Sequence, residues 1–188
     1  MITVGIDEVG RGSWAGPVVA GAVILSSEIK GLNDSKLLSK KQRDELDSII
    51  RANITAIGIG WVEPAVVDEI GINKAVGLAM QRALEMIAAT YDEVIIDGDI
   101  NYLSESPKSR AIIRADATVP AVSAASIVAK VVRDNYMTEL SLKYPGYGFE
   151  KHVGYGTALH IEKLKLHGVS DQHRLSYKPI KALLKVTK

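Results

Sequence analysis

Carboxylates stand in three places where a short apolar run gives out. Asp7 and Glu8 follow ITVGI, Asp97 ends EVIID, and Asp116 comes directly after RAIIRA. Four acids drawn to one place repel each other strongly unless cations lie between them. The chain has no cysteine, so disulfides and thiolate sites are excluded and any metal rests on oxygen or histidine ligands. An all-carboxylate donor set suits a hard cation, Mg²⁺ or Mn²⁺. Two such ions can hydrolyse a phosphodiester, one activating water and the other steadying the leaving oxygen. Taken singly, each acid also reads as a cap, Asp7 and Asp97 of turns and Asp116 of the helix after it. Their common position at strand ends favours the metal.

The elements between these acids must therefore bring three strand ends to one edge. ITVGI and PVVAGAVIL are short and rich in β-branched residues, which predicts strand, tight loop, strand over residues 2–25. Neighbouring side chains on a strand face opposite ways. Asp7 and Glu8 can then serve one site only if the strand ends there and the backbone turns, and Gly10, Gly12 and Gly16 favour such a turn. Their spacing does not fit the dinucleotide fingerprint, Pro17 leads into a strand rather than a helix, and no G-K-[ST] follows. With Arg11 inside it, the loop suits close approach of a ligand to the backbone. A plain hairpin with a surface acid pair is the other reading.

Further along, Ser39 with Gln42 forms a capping-box pattern that starts a helix over 39–53. A third strand is predicted over 54–62, a short helical turn over 64–70 and a helix over 73–90. Strands follow over 93–97 and 110–115. Pro120 precedes a long helix over 121–144, a glycine- and aromatic-rich loop fills 145–156, and helices cover 157–167 and 179–186. The first three strands can form an antiparallel meander. A fourth entering after a helical crossover, parallel to the first, sets Asp97 beside Asp7, at the carboxyl edge where open sheets bind ligands. The fold class is α/β, a mixed five-stranded sheet flanked by helices. On the long helix, Ser123, Ser126, Lys130, Arg133 and Asp134 fall in one stripe about 100° wide. The stripe could hold phosphates through hydroxyls and cations, or be a solvated face in which Lys130 and Asp134 pair at i,i+4. Asp134 is assigned to that pair.

With 188 residues, 47% hydrophobic and 24% charged, the chain has the balance of one globular domain. A catalytic core to about residue 144 and a basic helical extension over about 145–188 are expected. The net charge of +1 hides an asymmetry: residues 143–188 carry nine Lys/Arg against three Asp/Glu, and all four histidines. A basic end on an acidic body suggests contact with a polyanion, or else a solubilising lysine-rich tail. No apolar run approaches the roughly 20 residues that span a membrane, and the N-terminus lacks a signal-peptide pattern. The expected location is the cytoplasm.

Read in order, DEVGRG at 7–12, LNDSK at 32–36, IIDG at 95–98, AD…VPAVSAASIVAKVVRD over 115–134 and HVGYGTALHIEKLKLHG at 152–168 resemble ribonuclease HII, the bacterial type 2 ribonuclease H. The resemblance covers nearly the whole chain. It implies a ribonuclease H-like fold with a C-terminal helical extension. It implies metal-dependent hydrolysis of RNA in RNA–DNA hybrids and nicking 5′ of single ribonucleotides in duplex DNA, leaving 5′-phosphate and 3′-hydroxyl ends. By the same resemblance the metal carboxylates are Asp7, Glu8, Asp97 and Asp116, with Mg²⁺ or Mn²⁺ as cofactor. Gly10, Arg11 and Gly12 match the loop that reads the 2′-hydroxyl, and Tyr155 the tyrosine that stacks on the next deoxynucleotide's sugar. Lys36, Ser123 and Ser126 match positions near the substrate backbone. The alternatives are a non-catalytic nucleic-acid-binding module and another nuclease of this fold acting on DNA. A monomer is expected, and a replication clamp or polymerase is left open as a partner. Five residues depart from the family pattern: Ser13 and Trp14, Leu37, Asp99 and Gly156.

Overall fold

The computed structural model describes residues 1–32 and 38–186. Strands β1 (Thr3–Val9), β2 (Val18–Leu25), β3 (Ile54–Val62), β4 (Glu93–Asp97) and β5 (Ser109–Ile112) form one mixed sheet in the order β3-β2-β1-β4-β5. The first three strands make the predicted meander, and β4 lies parallel to β1 with Ile6 opposite Ile96. Strand β5 adds parallel to β4 at the edge. The helices are α1 (Lys40–Ala52), α2 (Pro64–Ile70), α3 (Ile72–Glu85), α4 (Pro120–Lys143), α5 (Phe149–His152), α6 (Ala158–His167) and α7 (Lys178–Val186). The capping box forms at α1: the Ser39 side chain accepts from the Gln42 amide and the Gln42 side chain accepts from the Ser39 amide.

Strand periodicity sorts the sheet's side chains into two layers. Val4, Ile6, Val18, Ala20, Ala22, Ile24, Val94 and Ile96 bury against α3. Residues of the other parity, such as Val23 and Ile95, bury on the α4 side. The helices sit flush because the sheet offers glycines beneath them. A Cβ on Gly5 would lie 2.1 Å from the Ala121 carbonyl carbon, and one on Gly60 would lie 1.9 Å from the Ala79 oxygen. Any side chain at Gly5 would lift α4 off the strand that carries Asp7.

Several boundaries differ from expectation. Strand β1 does not stop at Asp7 but stays paired with β2 through Val9; its parallel partner β4 is what ends there. Helix α3 ends at Glu85, not residue 90, because the chain must turn back to start β4: Ile2 donates its amide to the Asp92 carboxylate and accepts the Asp92 amide. Strand β5 ends at Ile112 rather than 115. Arg114 then takes a left-handed conformation (φ 57) and a single 3-10 turn covers Ala115–Ala117, so a tight turn and not a strand end presents Asp116. The expected loop 145–156 contains α5, and Tyr147 and Phe149 join Met137, Leu164 and Ile180 in a buried cluster. Within it His152, His160 and His173 are buried, so three of the four histidines are not on a polyanion-facing surface. Among the described residues no helix is long and apolar enough to cross a membrane.

Candidate active site

The notch left where β4 ends beside β1 brings the acids together. Asp7 and Asp97 share the sheet face that meets α4, and the 3-10 turn swings Asp116 in from the side. One carboxylate oxygen from each of Asp7, Asp97 and Asp116 lies within 4.8 Å of the others. The Asp116 amide donates to Asp97 Oδ1 at 3.3 Å. Asp7 and Asp116 are buried. Burial first, and then the neighbouring charges of Glu8 and Asp97, hold the Asp7 carboxyl well above the usual carboxylate range. Hydrogen bonds from Ser126 and from the Glu8 amide, at 2.7 Å, pull partly the other way. Three hard oxygen donors crowded in a low-dielectric notch are the donor set a divalent hard cation relieves. These residues fit Mg²⁺ or Mn²⁺.

Glu8 does not join that trio. Because β1 continues past Asp7, alternation sends Glu8 to the α3 side. There it lies 3.8 Å from Arg11 Nη1, and Arg11 Nη2 donates to Asn73 Oδ1 at 2.8 Å. Both acids still line one cleft of about 490 Å³, with Gly10, Arg11, Gly12, Asp97, Ser126, Lys130 and Tyr155. A larger cavity, about 590 Å³, opens at the opposite end of the sheet around Met1, Leu25 and Thr90, and its lining has a single acidic side chain, Glu28.

The stripe on α4 divides. Ser126 touches Asp7, and the Ser123 hydroxyl donates to the Asp116 carbonyl, so both seryl groups lie against the acid cluster. Lys130 reaches the cleft and pairs with Asp134 at 2.8 Å, as expected for that acid. Arg133 is not available to phosphate. It is fully buried and donates to Pro17 O (2.9 Å), Val153 O (2.9 Å) and Ala15 O (3.2 Å). Burial is the main cause lowering its pKa, to about 10. The stripe reading fails here because these acceptors arrive from loops that helical periodicity does not register. Lys36 lies outside the described residues.

The Gly10–Gly12 loop is held from beneath. A Cβ on Gly10 (φ +87) would strike Arg133 Nε at 2.3 Å. From the C-terminal segment, Arg174 donates to Gly16 O (2.9 Å) and Arg11 O (3.1 Å), and Tyr177 donates to Arg11 O. The sequence reading missed Arg174 and Tyr177, since nothing in their spacing ties them to a loop some 160 residues away. Tyr155 stands at the cleft mouth, its ring 4.0 Å from where a Gly12 Cβ would be and 5.8 Å from Lys130 Nζ. Two of the departures meet: Trp14 lies against Gly156.

Comparison with known proteins agrees with this arrangement. The family model described as Ribonuclease HII matches residues 4–180. A ribonuclease HII from Shewanella loihica is 48% identical over 96% of this chain and 88% of its own length. The crystal structure of a ribonuclease H2 from Pyrococcus horikoshii superposes with a TM-score of 0.83 at 26% identity, covering 99% of this chain and 98% of that one. An Archaeoglobus fulgidus RNase HII, solved in complex with PCNA, gives a TM-score of 0.77 at 28% identity over 95% and 96% of the two chains. A match of this extent, on a sheet whose notch gathers Asp7, Asp97 and Asp116, means that the chain belongs to the ribonuclease HII family.

Proposed function

We propose that this protein is a divalent-metal-dependent endoribonuclease that cuts the RNA strand of RNA–DNA hybrids and nicks 5′ of single ribonucleotides in duplex DNA, leaving 5′-phosphate and 3′-hydroxyl ends. The observation that carries the reading is the convergence of Asp7, Asp97 and Asp116 within 4.8 Å beside the Gly10–Gly12 loop. A bound pair of Mg²⁺ or Mn²⁺ ions would supply an activated water and charge stabilisation at the scissile phosphate. Asp7, Asp97 and Asp116 would hold them, with Glu8 as a fourth carboxylate reaching the cleft from the α3 side.

The chain's own groups set the rest. Ser126 orients Asp7, and Ser123 orients the backbone of Asp116. The Gly10-Arg11-Gly12 backbone can approach a ribose closely, and its 2′-hydroxyl is what distinguishes RNA from DNA at that position. Tyr155 offers a flat face to the next sugar, and Lys130 a cation to the phosphodiester backbone. Lys36, in DSK, is assigned to the backbone by resemblance. Because no side chain is assigned to a base edge, cleavage should depend little on sequence.

The test uses two substrates, an RNA–DNA hybrid and duplex DNA with one internal ribonucleotide, each with Mg²⁺ or Mn²⁺. Nicking 5′ of the ribonucleotide by the wild type is expected. Asp7→Asn should abolish cleavage while duplex binding persists. No nick with any divalent metal would refute the reading, and cleavage of an all-DNA duplex would replace it with a DNA nuclease of the same fold.

A further inference from the structure

Tyr155 lies between two glycines, and both are hemmed in by the Trp14-Ala15 segment. The Trp14 and Ala15 amides donate to Gly154 O at 2.8 and 3.3 Å. A Cβ on Gly154, at φ +86, would come within 2.2 Å of Ala15 O. On the other side, the three atoms that a Gly156 Cβ would meet first all belong to the Trp14 indole, at 2.1, 2.2 and 2.6 Å. Gly156 is not in the left-handed region, so its backbone would accept an alanine. The objection to a side chain there is the indole itself.

The indole is half-buried and tilts against His160 with centroids 5.8 Å apart. His160 Nδ1 in turn bonds the Tyr155 carbonyl at 3.0 Å. Trp14 thus reaches the residue before Tyr155 through its amide, the residue after it through its ring, and the Tyr155 carbonyl through His160. The same residue continues the Gly10–Gly12 loop, so it joins the two sides of the cleft mouth. An indole gives a large rigid contact at this junction for little lost side-chain entropy.

We propose that Trp14 is the positioning residue for Tyr155 and that Gly156 is its steric complement, so that the pair sets how the tyrosine ring stands over Gly12 and how tightly the deoxynucleotide beside the ribonucleotide is held. The proposal rests on the reading of Tyr155 as a substrate-stacking residue.

Two double-variant cycles test it. Without substrate, Gly156→Ala lowers Tm in the wild-type background but by much less in a Trp14→Ala background, because the indole it would strike is gone; an equal loss in both backgrounds overturns the pairing. This cycle reads packing alone and stands whether or not the protein is a nuclease. The second cycle measures nicking of single-ribonucleotide duplex. Trp14→Ala raises KM about fivefold with kcat within about twofold, since the carboxylates are untouched. In a Tyr155→Ala background the same change alters KM by less than about twofold. An equal KM increase in both backgrounds overturns the positioning role. Wild-type protein that fails to nick with any divalent metal overturns the role towards substrate and leaves the thermal cycle to decide the packing. Should Trp14→Ala lose its cooperative unfolding transition, Trp14→Phe carries both cycles.

Discussion

Replacing Arg133 by methionine separates two roles that the sequence alone leaves mixed. The guanidinium is fully buried, makes no ion pair among the described residues, and spends its donors on the carbonyls of Ala15, Pro17 and Val153. Methionine fills much of the volume but donates nothing, so three carbonyls, those of Ala15 and Pro17 buried and that of Val153 partly so, lose a partner at about 1–3 kcal/mol each. Losing a buried charge offsets part of this, which leaves a net destabilisation of about 3 kcal/mol. For a chain of this size that lowers Tm by roughly 6–12 °C. Thermal unfolding followed by circular dichroism reads the loss directly. Arg133→Lys is the control. It keeps the charge but cannot send donors in three fixed directions, so it should unfold nearly as early as the methionine variant. If Arg133→Met kept wild-type stability while nuclease KM rose and Arg133→Lys restored it, Arg133 would be a phosphate ligand and the account of the loop would be wrong.

Other outcomes follow from single features of the site and its supports. The Ser13 hydroxyl is buried with no partner among the described residues, while its amide bonds Gly10 O; Ser13→Ala should raise stability by about 1 kcal/mol, and a lower Tm would reveal a partner for that hydroxyl. His160 and His173, their ring nitrogens 3.1 Å apart, have pKa values lowered to about 4, chiefly by burial. The unfolded chain therefore binds more protons than the fold between about pH 6.5 and 4, so their contribution is complete above pH 6.5 and lost as pH falls through that window. Urea unfolding at pH 7.5, 6 and 5 should show it, and His173→Gln should flatten the profile; a loss unchanged in that variant would assign the acid sensitivity to other groups. Tyr155→Ala should slow nicking at single ribonucleotides more than cutting of long hybrids, and equal loss on both would remove its stacking role.

Local pattern was enough for much of this molecule. Alternating and continuous β-branched runs determined five strands, and Ser39 with Gln42 determined where α1 begins. EVIID, placed after a helix, reads as a strand entering by a crossover, and Asp97 comes beside Asp7 on the condition that it lies parallel to β1, as it does. These properties are legible because hydrophobic period, caps and crossover handedness act over a few residues or a single connection. The identities of the acids, and the exclusion of thiolate ligands, followed from residue type alone.

What the tertiary structure decided depends on partners far apart in the chain. Glu8 stands apart from the trio of Asp7, Asp97 and Asp116 because β2 keeps β1 extended past Asp7, so strand parity sends the two neighbouring acids to opposite faces. Arg133 left the phosphate stripe because carbonyls more than 100 residues away reach its guanidinium. Three histidines left the basic surface because they bury one another against Phe149 and Tyr147. Trp14 and Gly156, unrelated along the sequence, turned out to share one volume. Sequence determined which chemistry was present and roughly where each strand would put it. Only the folded chain decided which groups share a face, since burial and hydrogen-bond satisfaction are set by whatever segment arrives there, and neither leaves a periodic trace in the residues themselves.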